Sequence, residues 1–149
     1  YRSSREPVPV EPYRLELGRA RVVRQGDALT LVCYGGMVEV CLQAAEVAAR
    51  EGVSLEVVDV ETLVPFDEET VLASVCKTGR AVVVHEAART AGFGAEVAAR
   101  IAESAFFDLL APVARVTGWD APYPPFTSVE HHYRPDARRV LAAVREVLE

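Results

Sequence analysis

Four short apolar runs, alternating with stretches whose apolar residues recur at helical spacing, constrain this 149-residue chain more than any other feature. The runs are Ala28–Tyr34 (ALTLVCY), Ser54–Val60, Arg80–His85 and Pro112–Thr117, too short for helices and rich in strand formers. Met37–Arg50 reads as a helix with Met37, Cys41, Ala44, Ala45 and Ala48 inward, Glu39, Gln43, Glu46 and Arg50 outward, and Gly52 as its stop. Asp67–Val75 is a second helix with acids in its first turn. Gly94–Phe106 is a third, expected to bury Val97, Ala98, Ile101, Ala102 and Ala105. Asp136–Leu148 is the last, with Val140, Leu141, Val144 and Leu148 inward. Strands joined through helices by short links require right-handed crossovers and a sheet covered on both faces. The expected fold class is therefore α/β: a three-layer α/β/α sandwich around a mostly parallel sheet of about five strands, one of them antiparallel. The antiparallel strand is Ala20–Arg24, which a turn at Gly26-Asp27 would join to the next run as a hairpin.

Residues 1–18, with Pro7, Pro9 and Pro12, read as an extended linker or strap, because each proline fixes its own φ and keeps its predecessor out of the helical region. Residues 19–149 form the domain. The start at Tyr1, without an initiator Met, reads as the beginning of a piece of a longer polypeptide. A net charge of −6 with interspersed signs argues against nucleic acid or an anionic membrane surface as a partner, and no apolar run is long enough to span a bilayer. Cys33, Cys41 and Cys76 lack metal or redox spacing, and their apolar surroundings predict buried, reduced thiols of a cytoplasmic protein.

Function in such sheets gathers beyond the carboxyl ends of the parallel strands. Four clusters lie there: Tyr34-Gly35-Gly36, Asp59 to Thr62, His85-Glu86 with Arg89-Thr90, and Thr117 to Asp120. His85 and Glu86 are the candidate catalytic residues, although neighbours on a strand point to opposite faces and do not share a cavity until the strand has ended. Gly92-Phe93-Gly94 lacks the third glycine of a dinucleotide fingerprint, so a turn that tightens the loop fits better than a phosphate cradle. Gly35-Gly36 offers backbone amides but no following Lys or Ser/Thr. No G-x-S-x-G occurs, which removes nucleophile-elbow hydrolysis. His131-His132 diverge on an extended chain and have no third ligand at zinc spacing, so no metal is expected. The Gly118–Phe126 loop gathers Trp119, Tyr123 and Phe126 among three prolines and reads as a contact surface.

Three blocks in order, "VPVEPYRLELGRARVVRQGDALTLVCYGGM", "EVVDVETLVPFDEETVLASVCKTGRAVVVHEAARTAGFGAE" and "LLAPVARVTGWDAPYPPF", resemble the transketolase-C-like domain of the beta subunit of a thiamine-dependent 2-oxo acid dehydrogenase. Trp119 between Gly118 and Asp120 resembles the branched-chain (2-oxoisovalerate) members, with the pyruvate members as the alternative. The resemblance implies a parent enzyme that decarboxylates a 2-oxo acid on thiamine diphosphate with Mg and passes the acyl group to lipoyl-lysine. It also implies as partners an alpha subunit, a second beta subunit and the binding domain of a dihydrolipoyl acyltransferase. The glutamate that activates the cofactor belongs to another domain, so neither cofactor nor metal is expected in this chain and its isolated form is expected to be inactive. Tyr34, Asp59, Arg89, Thr90, Trp119, Asp120, Tyr123 and Phe126 are then interface or active-site-rim residues. A cytoplasmic location follows for a bacterial protein, the mitochondrial matrix for a eukaryotic one. Glu61 stands where the family commonly has Arg, Ala121 replaces a common Thr, and Ala88 and Ala91 replace a common Pro and Gly. Transketolase itself, deoxyxylulose-phosphate synthase, a pure subunit-interaction module and a nucleotide-binding α/β protein are the other readings.

Overall fold

The apolar runs become strands in the computed structural model, which describes residues 7–123 and 127–149. In chain order the elements are β1 (Arg21–Arg24), β2 (Leu29–Cys33), α1 (Met37–Arg50), β3 (Leu55–Asp59), α2 (Glu68–Thr78), β4 (Ala81–Ala88), α3 (Phe93–Ser104), a 3₁₀ turn (Phe106–Asp108), β5 (Ala114–Gly118), α4 (Thr127–Tyr133) and α5 (Ala137–Leu148). The five strands lie in the order β1-β3-β2-β4-β5, all parallel except β1. The expected sandwich is present. Alternate strand residues divide its core in two. Leu29, Leu31, Cys33, Leu55, Val57, Val82 and Val84 pack under α1 and α5, whereas Val32, Val58, Ala81 and Val83 pack under α2 and α3.

β1 is antiparallel as expected, but its partner is β3 and not β2. The reason lies at Gly26, where the chain crosses the start of β3. A Cβ there would overlap the backbone of Leu55 and Glu56, so only glycine permits the crossing. Asp27 N and Ala28 N then donate to Ser54 O, which launches β2 on the far side of β3.

Helix ends follow the capping rules more closely than the periodicity did. Asp67 caps α2 by accepting from Thr70 N at 3.1 Å and also accepts from Ala20 N at 2.8 Å, tying the entry to β1 onto the helix. Gly79, left-handed at φ 68°, ends α2 three residues beyond the expected limit. α3 ends at Ser104 with Ala102 exposed, since only Gly94, Val97 and Ile101 lie along its buried line. In α5 the deepest residues are Val140, Val144 and Val147. Cys33 and Cys41 are buried, but Cys76 is exposed, because it sits one position round α2 from the buried Val75. His131 and His132 lie in α4 rather than on an extended chain, with ring centroids 3.9 Å apart.

Residues 7–17 carry neither helix nor strand and are exposed, among them Val8, Val10, Tyr13, Leu15 and Leu17. No helix among the described residues is long and apolar enough to cross a membrane.

Candidate functional site

β4 presents the candidate residues His85 and Glu86 at an irregularity. It pairs regularly with β5 up to Val84↔Val116 and resumes at Ala88↔Gly118, so four steps on β4 match two on β5. The extra residues form a bulge at His85-Glu86-Ala87, the type of distortion that re-aims side chains near strand ends. His85 and Glu86 leave it in opposite directions.

His85 is fully buried. Its ring stacks on Tyr34, 5.9 Å between centroids and 5° between planes, and Phe93 meets Tyr34 edge-on. Gly92 and Gly94 cover its other side. A Cβ at residue 92 would stand 2.7 Å from His85 Cε1, and one at residue 94 would overlap Cδ2 and Nε2. Both glycines have φ values ordinary for any residue, so space and not backbone freedom requires them. The Gly92-Phe93-Gly94 turn therefore packs directly against an imidazole. Ala91 holds a left-handed φ of 60°, a region that favours glycine.

Neither nitrogen of His85 has a hydrogen-bond partner among the described residues. Burial, reinforced by the nearby Arg115, holds its imidazole below the usual histidine range. The folded state thus keeps the ring neutral, whereas the unfolded chain binds a proton near its ordinary value. Stability is full above about pH 6.5 and falls as the pH drops below it, at up to about 1.4 kcal/mol per unit. Urea denaturation at about pH 7 and pH 5 checks this. The decline should vanish in His85→Leu; an equal decline in that variant would assign the effect elsewhere.

Glu86 faces the other way and is not a free base. Its Oε1 lies 2.6 Å from Arg134 Nη2, and Arg134 also approaches Glu130 Oε1 at 3.5 Å. Gly36 leaves room for this pair, as a Cβ there would stand 2.8 Å from Glu86 Oε1. The pair holds α4 against the sheet end, and Tyr123 packs edge-on against Tyr133 beside it, 5.1 Å between centroids. Asp59 lies towards the opposite edge of the sheet, 3.9 Å from Arg21, with Glu61 3.1 Å from the same arginine. Burial, then the neighbouring Glu61, raises the Asp59 carboxyl against the pull of Glu61 N and Arg21.

Arg89, Thr90, Trp119 and Asp120 do converge. Asp120 accepts from Thr90 N and from Thr90 Oγ1, both at 2.8 Å, which fastens the loop after β4 to the loop after β5 and holds the Asp120 carboxyl below the usual range. Next to this clamp lies a half-open hollow of about 380 Å³, walled by Arg89, Arg115, Arg139, Thr117, Trp119 and Asp120. Arg89 Nη1 donates to Arg115 O and Arg115 Nη1 to Arg89 O, each at 3.0 Å. Arg139 Nη2 donates to Thr117 O at 2.6 Å, and its guanidinium lies 4.6 Å over the Trp119 ring. Trp119 Nε1 in turn donates to His132 O at 2.9 Å.

The expected rim residues thus fall into four groups: Tyr34 with His85, Asp59 alone near the far edge, Tyr123 against Tyr133 beside the Glu86–Arg134 pair, and Arg89, Thr90, Trp119 and Asp120 together. Phe126 lies outside the described residues. Sequence reading missed Arg115, Arg134 and Arg139. Arg115 had a signal, as the one charge inside the apolar run Pro112–Thr117. The other two depend on how α4 and α5 return to the sheet end, which no local pattern encodes.

The profile of the family "Transketolase, C-terminal domain" matches residues 18–140, most of the chain. The chain belongs to the transketolase C-terminal domain family.

This transketolase C-terminal domain is 48% identical over 149 residues to the pyruvate dehydrogenase E1 component subunit beta of Staphylococcus epidermidis, and 44% identical to that of Staphylococcus aureus. Each alignment covers 100% of this chain and 46% of the relative, so the chain spans about half the length of the curated relatives it matches. Among solved structures it resembles a split-gene transketolase described as an inactive β4 tetramer, with TM-score 0.79 and 32% identity over 91% of this chain and 43% of that one. A 2-oxoglutarate:ferredoxin oxidoreductase from Magnetococcus marinus shares the fold alone, with TM-score 0.57 and 10% identity over 88% of this chain and 19% of that one. Both named relatives are pyruvate dehydrogenase subunits, so the branched-chain expectation drawn from Trp119 finds no support in them.

Proposed function

We propose that this domain belongs to the beta subunit of a thiamine-dependent 2-oxo acid dehydrogenase acting on pyruvate, and that its own part is assembly and closure of the active-site neighbourhood. The observation that carries the reading is 48% identity to a pyruvate dehydrogenase E1 beta subunit along all 149 residues. On this reading the partners are an alpha subunit, a second beta subunit and the binding domain of a dihydrolipoyl acyltransferase. Residues 1–18 are the strap into the domain. The relatives are bacterial, which supports a cytoplasmic location and gives nothing for a mitochondrial one.

Thiamine diphosphate and Mg would supply the decarboxylation chemistry in the parent enzyme. The residues of this domain do not fit that cofactor. His85 is enclosed by glycines and an aromatic stack, Glu86 is paired with Arg134, and Asp120 is engaged by Thr90. No three His, Cys, Asp or Glu side chains cluster as metal ligands among the described residues. On this reading the decarboxylation chemistry lies with the rest of the enzyme, and the rim acids and arginines of this domain fix loops that face it.

The test is activity of the beta polypeptide carrying these residues, co-purified with its alpha subunit and supplied with thiamine diphosphate, Mg and an artificial electron acceptor. Turnover should favour pyruvate over 2-oxoisovalerate. Preference for the branched substrate would return the reading to the branched-chain enzyme, and failure to co-purify with any alpha subunit would remove the assembly role.

A further inference from the structure

We infer that the arginine-walled hollow beside β5 is a binding site for a small dianionic ligand of the phosphate monoester class. Three guanidiniums, Arg89, Arg115 and Arg139, wall it, and none forms an ion pair with a carboxylate among the described residues. On a chain of net charge −6, such a local excess of positive charge is not the general character of the surface. One carboxylate, Asp120, shares the hollow, but Thr90 N and Thr90 Oγ1 occupy its oxygens. Three positive charges against one negative leave two to be balanced, which matches a phosphate monoester dianion and leaves a monocarboxylate one short.

The donors are held in place before any ligand arrives. Arg89 and Arg115 brace each other through reciprocal bonds to backbone carbonyls, and Arg139 is fixed by Thr117 O and by the Trp119 ring. A guanidinium carries five donors, and these contacts use one or two of each, so forks remain free for oxyanion oxygens. Holding arginines without carboxylate partners forgoes ion pairing, yet it preorganises a site for an anion. Burial also holds the Arg139 guanidinium below its usual range, against the opposing pull of Asp136. The volume of about 380 Å³ suits a small molecule.

The chain contains a single tryptophan, and it lies in the wall of this hollow, so its fluorescence reports occupancy directly. The purified protein is titrated with inorganic phosphate, adenosine monophosphate and succinate, each against sodium chloride at equal ionic strength. Phosphate and the monophosphate should give a saturable change in Trp119 emission that chloride does not reproduce. Arg89→Gln and Arg115→Gln, which keep a donor for the backbone carbonyl but remove the charge, should each weaken binding by about tenfold or more. Arg138→Gln, on the exposed side of α5, should bind as the original does. No saturable change with either phosphate would overturn the inference, even if the variants fail to fold. Equal binding by the Gln variants would overturn the site, and tighter binding of succinate than of phosphate would overturn the ligand class.

Discussion

Gly94→Ala should destabilise this domain by about 3 kcal/mol, at the upper end of overpacking costs. Helix propensity alone predicts the opposite sign, since alanine is favoured over glycine in a helix by roughly 1 kcal/mol. Space decides. The new Cβ would overlap His85 Cδ2 and Nε2 and stand 3.2 Å from Val83 Cγ1. The imidazole has nowhere to retreat, because its far face is stacked on Tyr34 and its backbone is part of β4. At roughly 2–4 °C per kcal/mol for a domain of this size, Tm should fall by about 6–12 °C. The cause is separable by a double-mutant cycle. In a His85→Ala background the alanine has room, so Gly94→Ala should cost less than about 1 kcal/mol there, a coupling of about 2 kcal/mol. Equal costs in both backgrounds would show that the glycine serves something other than the histidine.

Lys77→Met comes next, with an expected loss of about 2–3 kcal/mol. Glu56 is the one carboxylate in the sheet whose side chain is almost wholly enclosed, at 2% exposure, and Lys77 pairs with it from α2. Ser74 Oγ and Gly26 N complete its shell, and Thr30 and Thr78 extend the buried polar cluster around Ser74. Burial alone would raise the Glu56 carboxyl, but Lys77, Ser74 and Gly26 outweigh it and hold it below the ordinary range. Methionine preserves the apolar stem and removes the charge, leaving a buried carboxylate with two neutral donors. Breaking a fully buried pair costs about 3–5 kcal/mol. The lysine side chain is 44% exposed and water reaches its site, which sets the lower figure. Because the folded pKa of Glu56 is depressed, its contribution is present above its ordinary value and lost as the pH falls through the folded one. The gap between Lys77→Met and the original chain should therefore be full at about pH 7 and close below about pH 4. Urea denaturation at the two pH values measures it, and no difference at neutral pH would contradict the account.

These two sites also show how far the sequence can be read. The Gly92-Phe93-Gly94 turn was legible as something other than a phosphate cradle, since the missing third glycine argued against it. That its glycines make way for His85 was not, because the clashes join residues seven and nine apart through a bulge that periodicity cannot reveal. Glu56 was hidden in the same way. In a strand it passes for one outward-facing acid, and only the polar stripe Ser74, Lys77, Thr78 on α2 hints that a buried carboxylate lies opposite. The layers, the parallel strands and the inward face of α1 followed from spacing alone, because hydrophobic periodicity is a local property. The β1–β3 pairing and the arginine hollow did not follow. They arise where distant segments meet, at the Gly26 crossing and where α5 returns beside β5.

On the proposed function, this domain contributes contacts and the cofactor's chemistry belongs to the remainder of the enzyme. Calorimetric titration of the 149-residue chain with thiamine diphosphate in the presence of Mg tests this most directly. The expected result is no saturable heat at micromolar cofactor. Saturable micromolar binding to this chain alone would contradict it.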